Sequence, residues 1–162
     1  MKKAVIFDID GVLAEKSPER DYREYDKVHL DKPIYDLFCL CEMYIKEGYE
    51  VFWITGRKEL CREQTVYFLY KCLAETNSNI VFKYMLHLSA DVREFSLKKS
   101  ISNSLFMRPD NDHRKAHILK KELYETHIEG KYDVVATFDD DPEIIKMYQE
   151  KGLMTFLVGN RK

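Results

Sequence analysis

Long apolar stretches are missing from this 162-residue sequence. No segment approaches the unbroken apolar length of a membrane span, and the start lacks the charged, apolar and small-residue order of a signal peptide. Internal repeats and low-complexity linkers are missing too. We therefore expect a single domain over residues 1–162 with a core of ordinary size, a cytoplasmic location and no membrane partner.

A net excess of basic charge is also missing, and so is a paired cysteine pattern. The formal net charge is −2, which argues against broad nonspecific binding to long duplexes, because such binding depends on a large basic surface. Recognition of a strand end, which needs contacts to one or two phosphates, stays compatible with this charge. The cysteines show neither zinc-site spacing nor a secreted disulfide pattern. We expect them to be small buried side chains on helices: Cys39, Cys41, Cys61 and Cys72.

The sequence does contain a regular alternation of strand and helix patterns. We predict strands near residues 3–8, 50–55, 104–107, 133–138 and 154–158, and helices near 33–47, 59–75, 112–126 and 142–151. Residues 80–84 are a possible further strand, and a possible helix follows Ala90. This alternation predicts an α/β fold in which helices flank a parallel sheet with right-handed crossovers.

The first predicted strand ends in two carboxylates. An apolar run leads to Asp8 and Asp10, which are separated by one residue and followed by Gly11. Ligands of open α/β sheets bind at the carboxyl ends of the strands. Such a pair suits phosphoryl transfer, because one carboxylate can attack phosphorus while the other handles the proton of the leaving oxygen. Two acids repel a phosphate, so the site requires a hard cation such as Mg²⁺.

Three later segments supply complementary groups. After the second strand, Thr55 and the backbone amides beside Gly56 could hold phosphoryl oxygens. The helical pattern after the basic segment 107–115 contains Lys120, whose charge could neutralise the nucleophile and the phosphate together. A further apolar run ends in the three aspartates 139–141, which are candidate metal ligands at a second strand end.

With these four places in order, the chain resembles the haloacid dehalogenase-like (HAD) phosphatases over nearly its whole length. The motifs of that family are an Asp-x-Asp, a Thr or Ser after the second strand, a Lys and a late acidic pair. More narrowly, residues 7–14, 55–57 and 120–140 look like the phosphatase domain of bacteriophage polynucleotide kinase-phosphatase, which removes phosphate from the 3′ ends of nucleic acids. The resemblance implies a three-layer, Rossmann-like fold with a minimal cap.

The resemblance also implies a role for each matching residue. Asp8 would be the nucleophile that becomes an aspartyl-phosphate, Asp10 the general acid and base, and Lys120 the neutralising cation. The implied Mg²⁺ ligands are Asp139, the second carboxylate oxygen of Asp8 and the backbone carbonyl of Asp10, while Asp140 would hold the metal's water or orient Lys120. The implied phosphate-binding and substrate-binding residues are Thr55, Gly56, Arg57 and Arg20.

The charged segment before the Lys120 helix has two interpretations. Arg108, Asp112 and Arg114 could grip a nucleic-acid backbone, or they could be loop charges around a helix start. We keep Arg108 and Arg114 as candidate substrate-binding residues. For the third aspartate the sequence favours a structural role. Asp141 precedes a helix that begins with proline, so we expect it to be an N-cap rather than a metal ligand.

The loop after the first strand contains two tyrosines whose role stays open. Tyr22 and Tyr25 lie among the basic residues Arg20, Arg23 and Lys27. The tyrosines could form a stacking and phosphate-binding lip over the site. Alternatively, they could cover the apolar underside of their own loop.

Two features depart from the family's pattern. Related sequences often carry an acidic residue shortly after the basic pair at the head of the Lys120 helix, where this chain has Ala116. If that acid orients an arginine, its loss affects substrate preference and leaves the core chemistry intact. The chain also has an extra stretch around residues 85–103, to which the sequence assigns no role.

Together, the residues and the resemblance imply a Mg²⁺-dependent phosphomonoesterase that acts through an aspartyl-phosphate on nucleic-acid 3′-phosphate ends. A phosphatase of free nucleotides or other small phosphomonoesters is the nearer alternative. A noncatalytic interaction module is the farther one, and the complete set of motif residues argues against it. The sequence contains no phosphate-loop kinase motif, so a kinase partner would be a separate chain, and no obligate protein partner is evident.

Overall fold

A computed structural model of the chain describes residues 1–21, 23–76 and 89–159. None of the helices in these ranges has the apolar length that crossing a membrane requires. The strands are β1 (Lys2–Phe7), β2 (Ala14–Glu15), β3 (Lys32–Pro33), β4 (Glu50–Lys58), β5 (Leu105–Arg108), β6 (Tyr132–Asp139) and β7 (Thr155–Leu157). The α-helices are α1 (Tyr35–Lys46), α2 (Arg62–Thr76), α3 (Ala90–Asn103), α4 (Ala116–His127) and α5 (Pro142–Glu150).

Five of the strands form a parallel sheet in the order β5-β4-β1-β6-β7. The central strand is β1, in which Phe7 pairs with Trp53 of β4 on one side and Phe138 of β6 on the other. The carboxyl ends of these three strands therefore lie side by side, where parallel sheets bind their ligands. This topology confirms the predicted α/β fold with a parallel sheet.

Alternate residues of the central strand enter two separate cores. Val5 and Phe7 join a cluster with side chains of α1, α2 and α3 on one face. Ala4 and Ile6 join a second cluster with side chains of α4 and α5 on the other face. A strand that is covered on both faces has a continuous apolar sequence, which is why residues 4–7 include no polar side chain. The sheet is therefore the middle of three layers.

A short cap follows β1. β2 and β3 pair as an antiparallel ribbon with Ala14 opposite Pro33, and a 3-10 turn, Tyr25–Leu30, lies between them. Val28 of this turn is fully buried in the same core as α1 and α2. The cap is thus anchored to the domain by apolar packing, and its small size agrees with the expected minimal cap.

The second core strand is longer than predicted. β4 continues beyond Thr55 as far as Lys58. Its pairing with β5 changes register between Ile54 and Lys58, so the Thr55-Gly56-Arg57 segment lies where the ladder is irregular. An irregular ladder at a strand end turns the backbone and side chains of this segment toward the edge of the sheet.

The helix that contains Lys120 begins later than predicted. α4 starts at Ala116 rather than near residue 112. The carboxylate of Asp112 accepts a hydrogen bond of 2.8 Å from the backbone N–H of Arg114, and such a side-chain contact favours a turn over a helix. Residues 112–115 are therefore a loop that precedes the helix.

The region after α2 is described only in part. The possible helix after Ala90 is confirmed as α3, and the Ser89 hydroxyl caps it by accepting a hydrogen bond of 3.4 Å from the Val92 N–H. The possible strand at residues 80–84 lies outside the described residues, as does Tyr22.

The prediction for the cysteines is partly wrong. Cys41 and Cys72 are buried on helices as expected, but Cys39 is exposed. Cys61 is buried in a short 3-10 turn, Glu59–Cys61, rather than in an α-helix. All four are free thiols.

Candidate active site

The central strand ends bring two acids and one lysine together. Asp8 follows β1, Asp139 ends β6, and Lys120 reaches them from α4; all three side chains are buried. The ammonium nitrogen Nζ of Lys120 lies 2.9 Å from Oδ1 of Asp8 and 2.7 Å from Oδ2 of Asp139. The structure thus brings together three of the residues that the sequence predicts for the site.

Burial and neighbouring charges shift the protonation of this group. Burial raises the pKa of Asp8 to about 8, with Asp139 and Asp10 adding to the rise and Lys120 opposing it. Burial works against the charge of Lys120, but the carboxylates of Asp8 and Asp139 outweigh it and raise the pKa of the lysine. The lysine therefore stays charged, and the surrounding acids are in excess.

A third carboxylate completes a group that could hold a metal ion. One oxygen each from Asp8, Asp139 and Asp140 lies within 4.8 Å of the other two. Lys120 contacts Oδ1 of Asp8 without hydrogen-bond geometry, and this buried oxygen accepts no hydrogen bond in the part of the chain that the structure describes. Carboxylate oxygens are the donors that Mg²⁺ prefers. These residues therefore fit a magnesium ion.

Gly11 allows Asp140 to approach the loop after β1. Gly11 has a φ of +83°, and a Cβ at this position would lie only 2.0 Å from Oδ2 of Asp140. Any other residue here would displace that carboxylate. The next aspartate has the structural role that the sequence favours, because the carboxylate of Asp141 caps α5 by accepting a hydrogen bond of 2.8 Å from the Glu143 N–H.

Asp10 belongs to a second group of charges. Its carboxylate accepts hydrogen bonds from Arg57 Nε at 3.0 Å and Arg57 Nη2 at 2.8 Å. Arg57 Nη2 also donates to Asp31 at 2.8 Å, and Arg20 donates twice to Asp31, at 2.6 Å each. The side chains of both arginines are only 3% exposed, and that of Asp31 is fully buried. Asp10 is therefore held in place by a continuous network of ion pairs.

This network changes the view of the two arginines expected to bind substrate. Most of the hydrogen-bonding capacity of Arg20 and Arg57 is directed at Asp31 and Asp10. The exception is Arg57 Nη1, a buried donor with no partner among the described residues. Sequence reasoning missed Asp31, because an acid in a cap without periodicity carries no local signal.

Thr55 and Gly56 lie beside these groups. Thr55 is fully buried, and its hydroxyl oxygen accepts a hydrogen bond of 3.1 Å from the Arg57 N–H. The Gly56 carbonyl accepts one of 3.2 Å from Arg108 Nε. Gly56 borders the site cavity, whereas Thr55 does not, so the phosphate-binding role expected of Thr55 stays a prediction.

The other two expected substrate residues stabilise their own loop. Arg108 Nη1 donates to the Arg114 carbonyl at 2.7 Å. Arg114 forms ion pairs with Asp112 at 2.6 Å and with Glu122 at 2.5 Å. Neither arginine lines the site cavity in the described parts of the chain. The geometry therefore favours the interpretation of these residues as loop charges around a helix start.

Two cavities share Asp10 and Asp140 in their walls. The first, of about 420 Å³, contains Asp8, Lys120 and Asp139 and is bordered by the cap. The second, of about 690 Å³, lies between the cap, the start of α1 and the end of β7. We call them the site cavity and the outer cavity.

Comparisons with known proteins agree with this geometry. The family described as the polynucleotide kinase PNKP phosphatase domain matches residues 2–161. A candidate bifunctional polynucleotide kinase/RNA ligase of Autographa californica nuclear polyhedrosis virus is 29% identical over 155 residues, which are 94% of this chain and 19% of that protein. The chain thus spans about a fifth of the length of this relative.

Solved structures are similar as well. A chain from the Pnkp1/Rnl/Hen1 RNA repair complex is 29% identical, with a TM-score of 0.70 over 97% of this chain and 42% of that one. The D,D-heptose 1,7-bisphosphate phosphatase of B. bronchiseptica, solved with magnesium and phosphate, is 14% identical, with a TM-score of 0.53 over 97% of this chain and 80% of that one. The second likeness concerns the fold alone.

Proposed function

The chain belongs to the family of the polynucleotide kinase PNKP phosphatase domain and is a HAD-type phosphatase, and on this premise we propose that it removes phosphate from the 3′ ends of nucleic acids. The observation that carries the proposal is the contact of Lys120 with Asp8 and Asp139 at the edge of the sheet, next to an Asp10 that Arg57 holds. We propose that residues 1–162 act as a single domain.

In the first step, a carboxylate oxygen of Asp8 attacks phosphorus and forms an aspartyl-phosphate as the bond to the 3′ oxygen breaks. Asp10 gives its proton to that departing oxygen. In the second step, Asp10 takes a proton from water, whose oxygen attacks phosphorus and releases inorganic phosphate. Asp8 is then regenerated as a carboxylate. Arg57 keeps the Asp10 carboxyl oriented for both transfers.

The charge that builds up on the phosphoryl oxygens needs compensation. Lys120 supplies a fixed positive charge within contact of Asp8. Arg57 and Gly56 border the site cavity, and Arg57 Nη1 has no partner among the described residues, so in this proposal both would donate hydrogen bonds to the same oxygens. Mg²⁺, when bound by Asp8, Asp139 and Asp140, would supply further positive charge for these oxygens. We also propose the backbone carbonyl of Asp10 as a ligand of Mg²⁺.

The relatives bear on partners as well as on substrate. The related chain was solved within an RNA repair complex with other proteins, so the expectation that this chain has no obligate protein partner loses its support. The same relative supports nucleic-acid ends as the substrate. We therefore place the proposed activity in nucleic-acid repair.

The test is phosphate release, with Mg²⁺, from an oligonucleotide that carries a 3′-phosphate. The comparison substrates are the same oligonucleotide with a 5′-phosphate and a free 3′-nucleotide, and the Asp8→Asn protein serves as the background. A preference for the 3′-phosphorylated strand supports the proposal. Release from the free nucleotide alone would assign the enzyme to small phosphomonoesters, and equal release from both strand ends would remove the 3′ assignment.

A further inference from the structure

Four basic side chains line the site cavity within the described residues, and three of them are already engaged. Lys120 contacts Asp8 and Asp139, while Arg20 and Arg57 are bound by Asp31 and Asp10. The fourth is Arg23, which is exposed at the border of the cavity. Its guanidinium makes no hydrogen bond or ion pair to any described residue.

The position of Arg23 separates it from the chemistry. Asp8, Lys120 and Asp139 form the buried inner wall of the cavity, whereas Arg23 belongs to the exposed part of the cap. A phosphoryl group placed against Asp8 therefore leaves its organic part directed outward, past the cap. A guanidinium on that path, unpaired among the described residues, suits a second phosphate group, because its N–H groups match two phosphate oxygens.

The charges around the two cavities also favour an exit past the cap for the rest of a nucleic-acid strand bound at Asp8. The outer cavity is bordered by the acids Glu15 and Asp36, in addition to the two acids that border both cavities, and its Lys16 donates a hydrogen bond of 2.9 Å to the Arg20 carbonyl. A polyanion that entered the outer cavity would approach these carboxylates. A polyanion that left past Arg23 would gain a cation. The path past the cap is therefore the favourable one.

An aromatic side chain accompanies the arginine. Tyr25 lies two residues after Arg23, borders the site cavity and is half-buried against the core below the cap. A ring fixed in this way offers a face or an edge to a nucleoside at little entropic cost. Of the two expected lip tyrosines, Tyr25 borders the site cavity, and Tyr22 lies outside the described residues.

We propose that Arg23 binds the phosphodiester that precedes the terminal nucleotide and thereby selects polynucleotide ends over free nucleotides. The inference rests on the proposed function and deepens it. It assigns the strand preference to the one cation of the described cavity that no acid engages, rather than to Arg20 or Arg57.

The test combines a substitution at Arg23 with a change in the charge of the substrate and measures every pairing of protein and substrate. Arg23→Gln keeps a polar side chain of similar length on an exposed position and removes its charge. The paired substrates are 3′-phosphorylated oligonucleotides whose last internucleotide linkage is either a phosphodiester or an uncharged methylphosphonate. A free 3′-nucleotide and an aryl phosphate report on the chemistry alone.

We expect Arg23→Gln to lower kcat/KM on the natural oligonucleotide by roughly tenfold, mainly through KM, as for the loss of one charge-assisted phosphate contact. The methylphosphonate should cost the wild-type protein a similar factor and cost Arg23→Gln almost nothing further. Activity on the free nucleotide and the aryl phosphate should stay unchanged. The salt dependence of kcat/KM should also weaken, by about 0.7 in logarithmic slope.

Lys27→Gln is the matched control. Lys27 lies in the same cap, but its ammonium is paired with Glu24 at 2.7 Å and it does not line the site cavity. It should behave as wild type on every substrate. An Arg23→Gln protein with wild-type kcat/KM on the natural oligonucleotide overturns the inference, as does a methylphosphonate penalty that persists in Arg23→Gln. A wild-type protein that ignores all 3′-phosphorylated strands overturns the proposed function itself.

Discussion

Two buried groups of charges lie side by side at the edge of the sheet, and they differ in balance. In the nucleophile cluster, the carboxylates of Asp8, Asp139 and Asp140 lie together with one lysine, Lys120, which contacts Asp8 and Asp139. In the arginine cluster, two carboxylates are matched by two guanidiniums, namely Asp10, Asp31, Arg20 and Arg57. The first cluster is short of positive charge, and the second is neutral.

The difference indicates what each cluster is for. In the nucleophile cluster one oxygen of Asp8 accepts no hydrogen bond from the described residues, and burial raises the pKa of that acid. A bound cation, or a substrate that supplies the missing contact, would therefore stabilise the carboxylates of this cluster. In the arginine cluster the carboxylates of Asp10 and Asp31 accept several hydrogen bonds from Arg57 and Arg20, and a buried network of this kind is rigid. It can therefore hold Asp10 in one orientation while the charge beside it changes during the reaction.

Replacing Asp8 in the nucleophile cluster should abolish activity without lowering the free energy of unfolding. We expect Asp8→Asn to reduce phosphate release by about 10³-fold or more, because an amide cannot form the aspartyl-phosphate. The same change removes a buried acid with a raised pKa, so the free energy of unfolding at pH 7 should stay equal or rise. Turnover and urea unfolding measured on one preparation check both expectations.

The control for this variant is Asp133→Asn, which changes an exposed acid on β6. It should leave both turnover and unfolding unaltered. An Asp8→Asn protein that retains its turnover would sink the assignment of the nucleophile. One that loses several kcal/mol of stability would mean that the first cluster, like the second, holds the fold together.

The arginine cluster should respond in the opposite way. We expect Asp31→Asn to lower the free energy of unfolding by about 3–5 kcal/mol, because it leaves two buried guanidiniums with one carboxylate. Turnover should fall as well, since Arg57 then loses the partner that fixes it against Asp10. Urea unfolding measures the first effect and phosphate release the second. Glu24→Gln, which opens an exposed pair in the same cap, should leave both unaltered.

Magnesium should stabilise the protein through the first cluster alone. At about one hundred times its Kd, a ligand of the folded state adds about 2.7 kcal/mol to the free energy of unfolding. We expect Mg²⁺ to raise Tm in the wild-type protein and to do so much less in Asp140→Asn, which removes one carboxylate of the group. A Tm shift that survives Asp140→Asn would place the ion elsewhere. Excess EDTA should abolish both the shift and the turnover.

The two clusters also differ in how far their residues can be predicted from the sequence. Asp8, Thr55 and Asp139 follow apolar strand patterns, and parallel strands place their carboxyl ends at one edge, so their proximity follows from strand assignment. Lys120 required the family resemblance, because a helical lysine has no distinctive pattern of its own. Those predictions concern regular elements whose geometry is set by the backbone.

The arginine cluster depends instead on how the cap folds. Asp31 lies in an irregular segment after a 3-10 turn, and nothing in the local sequence indicates which acid an arginine will meet. The prediction that Arg20 and Arg57 bind substrate came from the family resemblance, and it stays a prediction. The buried acid that engages them became visible only in three dimensions, and with it the reason to assign strand recognition to Arg23.

The pH dependence of the free energy of unfolding tests, with the smallest expected effect, whether the nucleophile cluster is short of positive charge. Burial raises the pKa of Asp8 from 3.8 to about 8, so between these values the folded state binds a proton that the unfolded state has released. Stability from this group is therefore fully present below pH 4 and is lost as the pH rises toward 8, by up to about 1.4 kcal/mol per pH unit.

In EDTA, the free energy of unfolding of wild type minus that of Asp8→Asn should fall steadily from pH 5 to pH 8. Mg²⁺ should flatten this trend, because a bound cation stabilises the carboxylate that the buried site otherwise disfavours. A difference that is constant across the range would mean that Lys120 alone balances Asp8, and the two clusters would then be equivalent in charge.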